Sequence, residues 1–72
     1  MPFKQLNLKP SGAIKLAEYD QKENTLRITF DKGGVYHYSN VSPQDVRELE
    51  NASSPGSHFR KYIQDSFPCK RC

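Results

Sequence analysis

The chain has 72 residues, of which 35% are hydrophobic and none is tryptophan, with a net charge of +3 and a mean hydropathy of −0.85. That length makes one domain near the lower limit for independent folding, and no stretch approaches the roughly 18 apolar residues of a membrane span. Met1-Pro2-Phe3-Lys4-Gln5-Leu6-Asn7-Leu8 has no apolar signal-peptide core, so a cytoplasmic protein without a membrane partner is expected.

Residues 1–11 read as an N-terminal arm with weak alternation at Leu6 and Leu8, able to supply a short edge strand. Residues 12–68 form the domain and 69–72 a basic tail. Ile14 to Tyr19 suggests a first strand, but Ile14 and Leu16 share one parity while Ala17 and Tyr19 share the other. A β-bulge between them reconciles the two. Asp20-Gln21-Lys22-Glu23-Asn24 is a polar turn. Thr25 to Asp31 is the clearest strand, with Leu26, Ile28 and Phe30 on one face and Thr25, Arg27 and Thr29 on the other. Lys32-Gly33-Gly34 supplies the positive-φ positions of a hairpin turn, and Val35 to Ser39 returns as a third strand.

The period then changes. Ser42 is placed as an N-cap, Pro43 at the first helical position and Asp45 in a near capping box. Val46 and Leu49 give this helix its apolar stripe, continued weakly by Ala52, and Ser53-Ser54-Pro55-Gly56 stops it. A second helix is expected from Ser57 through Phe59, Tyr62, Ile63 and Ser66, ended by Pro68. The expected fold is therefore α+β: a three-stranded antiparallel meander, four-stranded if the arm contributes, followed by two C-terminal helices packed on one face.

Tyr36-His37-Tyr38 puts two rings on one face of the last strand and an imidazole on the other. Facing Arg27 and Lys15, the rings would form a stacking platform for single-stranded nucleic acid. Facing Leu26, Ile28 and Phe30, they would be core, with hydroxyls at the rim. The shortage of other large apolar residues favours the core alternative, which leaves His37 beside Arg27 on the outer face.

Charge is uneven along the chain. Residues 39–54 are acidic, whereas residues 55–72 carry Arg60, Lys61, Lys70 and Arg71 against Asp65. A basic C-terminal end suits phosphate contact, although cations spaced this way also occur on ordinary solvated surfaces. With Ser57, His58, Arg60 and Lys61 in its first turn, the second helix would offer free N–H groups and cations to an anion; the plain alternative is an inter-helix connection. Ser53, Ser54 and Ser57 lie near His58, yet serines at a helix junction are caps before they are nucleophiles, and no enzyme activity is expected. Cys69 and Cys72 form one C-x-x-C, half of a zinc site, which a second copy or a histidine would have to complete. Exposed reduced thiols are the simpler expectation, with no metal and no cofactor.

The order I-x-x-A-x-Y-D, T-L-R-I-x-F, G-x-Y-x-Y, x-V-S-P and N-A-S-S-P-G-x-x-F-x-x-Y-I, from about Ser11 to Pro68, resembles the KTSC domain. That family is named for the C-terminal region of some lysyl-tRNA synthetases and also occurs as short single-domain proteins in bacteria and phages. Its Y-x-Y falls on Tyr36 and Tyr38, its Y-D on Tyr19 and Asp20, its A-x-S-x-G on Ala52, Ser54 and Gly56, and its last-helix aromatic on Phe59. Many members carry asparagine after that aromatic, where this chain has Arg60. The resemblance implies a small α+β domain, and the synthetase fusion implies RNA as a partner.

Residues and resemblance together point to a non-catalytic module binding RNA or single-stranded nucleic acid. The expected contacts are Arg27, His37, His58, Arg60, Lys61, Lys70 and Arg71, with Tyr36 and Tyr38 if exposed. The competing expectation is a protein-interaction module that recruits a partner through the sheet edge or the groove between sheet and helices.

Overall fold

The computed structural model describes residues 3–9 and 12–71. Its elements run β1 (Phe3–Gln5), β2 (Ile14–Asp20), β3 (Thr25–Phe30), β4 (Val35–Tyr38), α1 (Pro43–Asn51), α2 (Pro55–Tyr62) and β5 (Cys69–Arg71). The five strands form one antiparallel sheet in the order β1-β2-β3-β4-β5. The three strands expected from alternation make its centre. The arm supplies one edge strand and the tail the other, so the meander has five strands rather than three or four.

The β1 edge has only the weak alternation of the arm, and the β5 edge has none. What places β5 is context: Phe67 packs against the core, and the Ser39 N–H donates to the Pro68 carbonyl at 2.9 Å, which lays Cys69–Arg71 beside β4. At the other edge the Leu6 N–H donates to the Ala17 carbonyl, prolonging the β1–β2 pairing. The Asn7 N–H donates to a Glu50 carboxylate oxygen, tying the arm to α1.

β2 carries the bulge that the parity change calls for, but it falls before Leu16, which therefore does not share the core face of Ile14. Ile14 opposes Phe30 and Leu16 opposes Thr29, so Lys15 is the extra residue. Beyond it Ala17 and Tyr19 join Ile14 on the core face, opposite Ile28 and Leu26, while Glu18 turns outward opposite Arg27. At the β3–β4 turn Gly33 and Gly34 take φ of 96° and 95°. Few L-residues adopt that conformation, so this turn needs glycine.

α1 begins as expected. Ser42 caps it through the Asp45 N–H, and the Asp45 carboxylate accepts in return from the Ser42 N–H. α2 departs from expectation. Pro55, read as a stop for α1, is the first residue of α2, with Ser54 as N-cap. Proline lacks the N–H that a helix leaves unpaired there, so it opens helices as well as ending them. α2 also ends at Tyr62, short of Ser66. Val46 and Leu49 of α1, Phe59 of α2 and the adjoining Ile63 close over Ile14, Ala17, Tyr19, Leu26, Ile28 and Tyr38. Both helices cover one face of the sheet and leave the other open.

The Y-D pair serves this frame. The Tyr19 hydroxyl lies 2.6 Å from the Val41 carbonyl and 3.0 Å from Asn24 Oδ1, joining β2, the β2–β3 turn and the entry to α1. Asp20, 3% exposed, accepts from the Lys22 and Glu23 N–H groups through one carboxylate oxygen. These are Asx-turn bonds that hold the turn shut.

Candidate nucleic-acid interface

Register decides which face Tyr36 and Tyr38 take. Tyr36 stands opposite Ile28 and Tyr38 opposite Leu26, so both rings are on the helix-covered face and the core alternative holds. Tyr38 is buried and Tyr36 half-buried. Their rings belong to a chain of edge-on aromatic contacts: Tyr36 with Phe30 at 5.5 Å, Phe30 with Phe59 at 5.7 Å and Phe59 with Tyr38 at 5.1 Å between centroids. Such pairs add about 0.5–1.5 kcal/mol each beyond area burial.

The packing does not fill all the space between the β3–β4 hairpin and α2. A cleft of about 580 Å³ remains there, within the usual range for small-molecule sites. Phe30, Tyr36, Tyr38 and Phe59 form its apolar walls. Lys32, Arg60, Asp65 and Cys69 line it with polar groups, and Gly56 lies at α2. The Arg71 guanidinium stands 5.9 Å from the Tyr36 ring. Burial pushes the Tyr38 hydroxyl well above its ordinary pKa; a hydrogen bond with the Cys69 side chain and the charge of Asp65 act in the same sense. This hydroxyl is therefore a neutral donor and acceptor at the cleft wall.

The cations at the cleft differ from Arg27 on the open sheet face. Among the described residues the one ion pair is Arg27 with Glu18, 2.8 Å apart on the open sheet face. Lys32, Arg60 and Arg71 have no carboxylate partner among the described residues. Arg27 is doubly committed, because its guanidinium also lies 4.1 Å from the centroid of the Phe3 ring.

The expected contact residues thus divide into three groups. Tyr36, Tyr38, Arg60 and Arg71 meet at the cleft. Arg27, His37 and Lys70 lie in one row across the open face, where the His37 ring packs on Phe3 at 5.5 Å. His58 and Lys61 sit elsewhere on α2 against the exposed Tyr62 ring, the His58 ring 4.7 Å and the Lys61 amine 5.4 Å from it. The anion site expected at the start of α2 does not form as drawn. Arg60 and Lys61 belong to the last turn of the helix, not its first.

Sequence reasoning missed Lys32 and Asp65. Lys32 was legible only as a turn residue, and Asp65 only as an offset to the basic end. Of the C-x-x-C pair, Cys69 is on the core face at the cleft and Cys72 lies outside the described residues. His37 is on the opposite face of the sheet and cannot join Cys69 in a metal site. Among the described residues no three His, Cys, Asp or Glu side chains group to hold a metal ion.

A five-stranded antiparallel sheet with two helices on one face, and an aromatic cleft between hairpin and second helix, defines a small α+β domain. The KTSC domain family model matches residues 10–67, and the chain belongs to that family. A crystal structure of a KTSC domain protein from Yersinia pestis superposes with a TM-score of 0.89 at 26% identity, over 97% of both chains. The lysine-tRNA ligase of Nostoc punctiforme is 49% identical over 61 residues, covering 83% of this chain but 11% of the ligase. That of Trichormus variabilis is 43% identical over the same length, again 11% of the ligase. The chain is thus homologous to a small segment of these enzymes. A protein of Stutzerimonas stutzeri is 33% identical over 54 residues, 75% of this chain and 76% of its own length. Three of the motifs that carry the family resemblance (Tyr36 with Tyr38, Gly56, and Phe59 with the position after it) converge on the cleft. The fourth, Tyr19-Asp20, is used in folding.

Proposed function

We propose that this protein is a non-catalytic module that binds RNA or single-stranded nucleic acid, and that the aromatic cleft and its basic rim are the contact surface. The observation that carries this reading is the combination at the cleft. Phe30 and Tyr36, the half-buried rings of the wall, offer surface to an unstacked base, while Lys32, Arg60 and Arg71 stand without carboxylate partners among the described residues. Bases stacked on aromatic side chains are worth about 1–3 kcal/mol each, and cations alongside take the phosphates. The presence of a homologous segment in enzymes named for ligating lysine to tRNA supports RNA as the partner class. The open sheet face is the weaker site, because Arg27 is already neutralised by Glu18 and covered by Phe3.

Salt dependence tests this. Three phosphate contacts on a single strand should give log affinity against log salt a slope of about −2, and Arg60→Ala should reduce its magnitude by about 0.7. Fluorescence anisotropy with a labelled single-stranded RNA of mixed sequence reads both. An absence of binding at low salt, or a flat salt profile, refutes the proposal.

A further inference from the structure

The same cleft carries one acid, and an acid is out of place in a site built only for phosphate. Asp65 lines the cleft beside Tyr38 and Cys69, and its charge acts on the Tyr38 hydroxyl. Among the described residues it has no ion pair and no side-chain hydrogen bond, although Arg60 lines the same cleft. A carboxylate offers two acceptors in one plane and, when ionised, no donor. It therefore discriminates among bases. Guanine presents two parallel donors on its Watson-Crick edge, N1–H and the N2 amino group. Adenine and cytosine each present one amino donor beside a ring-nitrogen acceptor that a carboxylate repels. Uracil presents one donor between two carbonyl oxygens.

We infer that the cleft takes a single unstacked guanine, its face against the aromatic wall and its Watson-Crick edge on the Asp65 carboxylate. This rests on the nucleic-acid reading above and adds the base. Lys32 and Arg60, lining the same cleft, are then available to the phosphates flanking that nucleotide. A paired guanine has already used those donors, so the site selects single strands over duplex.

The test uses the full chain and four labelled pentaribonucleotides, UUGUU, UUAUU, UUCUU and UUUUU, titrated by anisotropy at low salt. UUGUU should bind about tenfold more tightly than UUAUU, the scale of one good bidentate base contact. Asp65→Asn, at an exposed position, should remove the guanine preference, because an amide offers one donor and one acceptor, a pair that the Watson-Crick edge of each base can match. Equal, salt-dependent binding of all four overturns the guanine assignment and leaves the nucleic-acid reading standing. A guanine preference that survives Asp65→Asn overturns Asp65 as its reader. No binding of any of the four at low salt overturns both.

Discussion

Tyr19→Phe isolates what the Y-D motif contributes, because it removes one oxygen and leaves the ring. Tyr19 is 7% exposed, and Val41, whose carbonyl the hydroxyl meets at 2.6 Å, is fully buried. A hydroxyl has one proton, so it donates along this shorter contact. The Asn24 amide, 3.0 Å away, is then best turned so that its NH2 donates into the hydroxyl oxygen. Water can replace the hydroxyl at exposed Asn24 but not at the buried Val41 carbonyl. Leaving that acceptor unpaired costs about 1–3 kcal/mol. Taking about 2 kcal/mol, Tm should fall by about 8–16 °C for a domain this small. Urea unfolding followed by far-UV circular dichroism should show a lower midpoint at unchanged slope. Asn24→Gly, which keeps the positive φ of 53° at that position, should cost less than Tyr19→Phe. A Tyr19→Phe loss below about 0.5 kcal/mol would mean that the Val41 carbonyl finds another partner, and the assignment of the Y-D motif to folding would fail.

Three further outcomes are expected. Ser42→Ala removes the side-chain half of the capping box at α1, leaving the backbone N–H that donates to Asp45, and should lower stability by about 1 kcal/mol in urea titration. Stability should also respond to alkali. Burial raises the folded-state pKa of Tyr19, helped by Asp45 and Asp20, and burial with the Cys69 hydrogen bond raises that of Tyr38, both above the ordinary 10.0. Above that value the folded state holds protons that the unfolded chain has released. The contribution is thus fully present below about pH 10 and lost as pH rises through the folded pKa values. Urea midpoints measured up to and beyond about pH 10 should be flat and then fall, and Tyr38→Phe should weaken the fall. Finally, Arg27→Ala should change RNA affinity less than about twofold, since Glu18 already screens that charge, while Arg60→Ala weakens binding and flattens the salt slope. The opposite ranking in anisotropy would move the interface to the open sheet face.

Local signals were enough for much of this fold. Alternation at Leu26, Ile28 and Phe30, the need for a bulge between Ile14 and Tyr19, the Lys32-Gly33-Gly34 turn and the Ser42-Pro43-Gln44-Asp45 helix start are each written in a few adjacent residues, and the structure has each of these features. Such features rest on backbone sterics and hydrogen bonds that close within a turn or a strand pair. Ser53-Ser54-Pro55-Gly56 was ambiguous for the same reason: proline marks a helix boundary without saying which helix it bounds. Cys69–Arg71 carries no strand pattern. It is a strand because Phe67 and the Ser39–Pro68 hydrogen bond deliver it to the free edge of β4.

The candidate site divides the same way. The sequence by itself determined that Tyr36 and Tyr38 share a face and that His37 takes the other, because the strand period is two. It also determined the net basic charge and the order of motifs that marks the family. Only tertiary structure decided that the tyrosine face is the covered one, that α2 leaves a cleft over it, and that Lys32, Arg60, Asp65 and Arg71 surround this cleft while Arg27 is neutralised elsewhere. Those four residues come from a turn, a helix, the segment after it and an edge strand. Their proximity is a long-range property of the packed chain, and no local pattern encodes it.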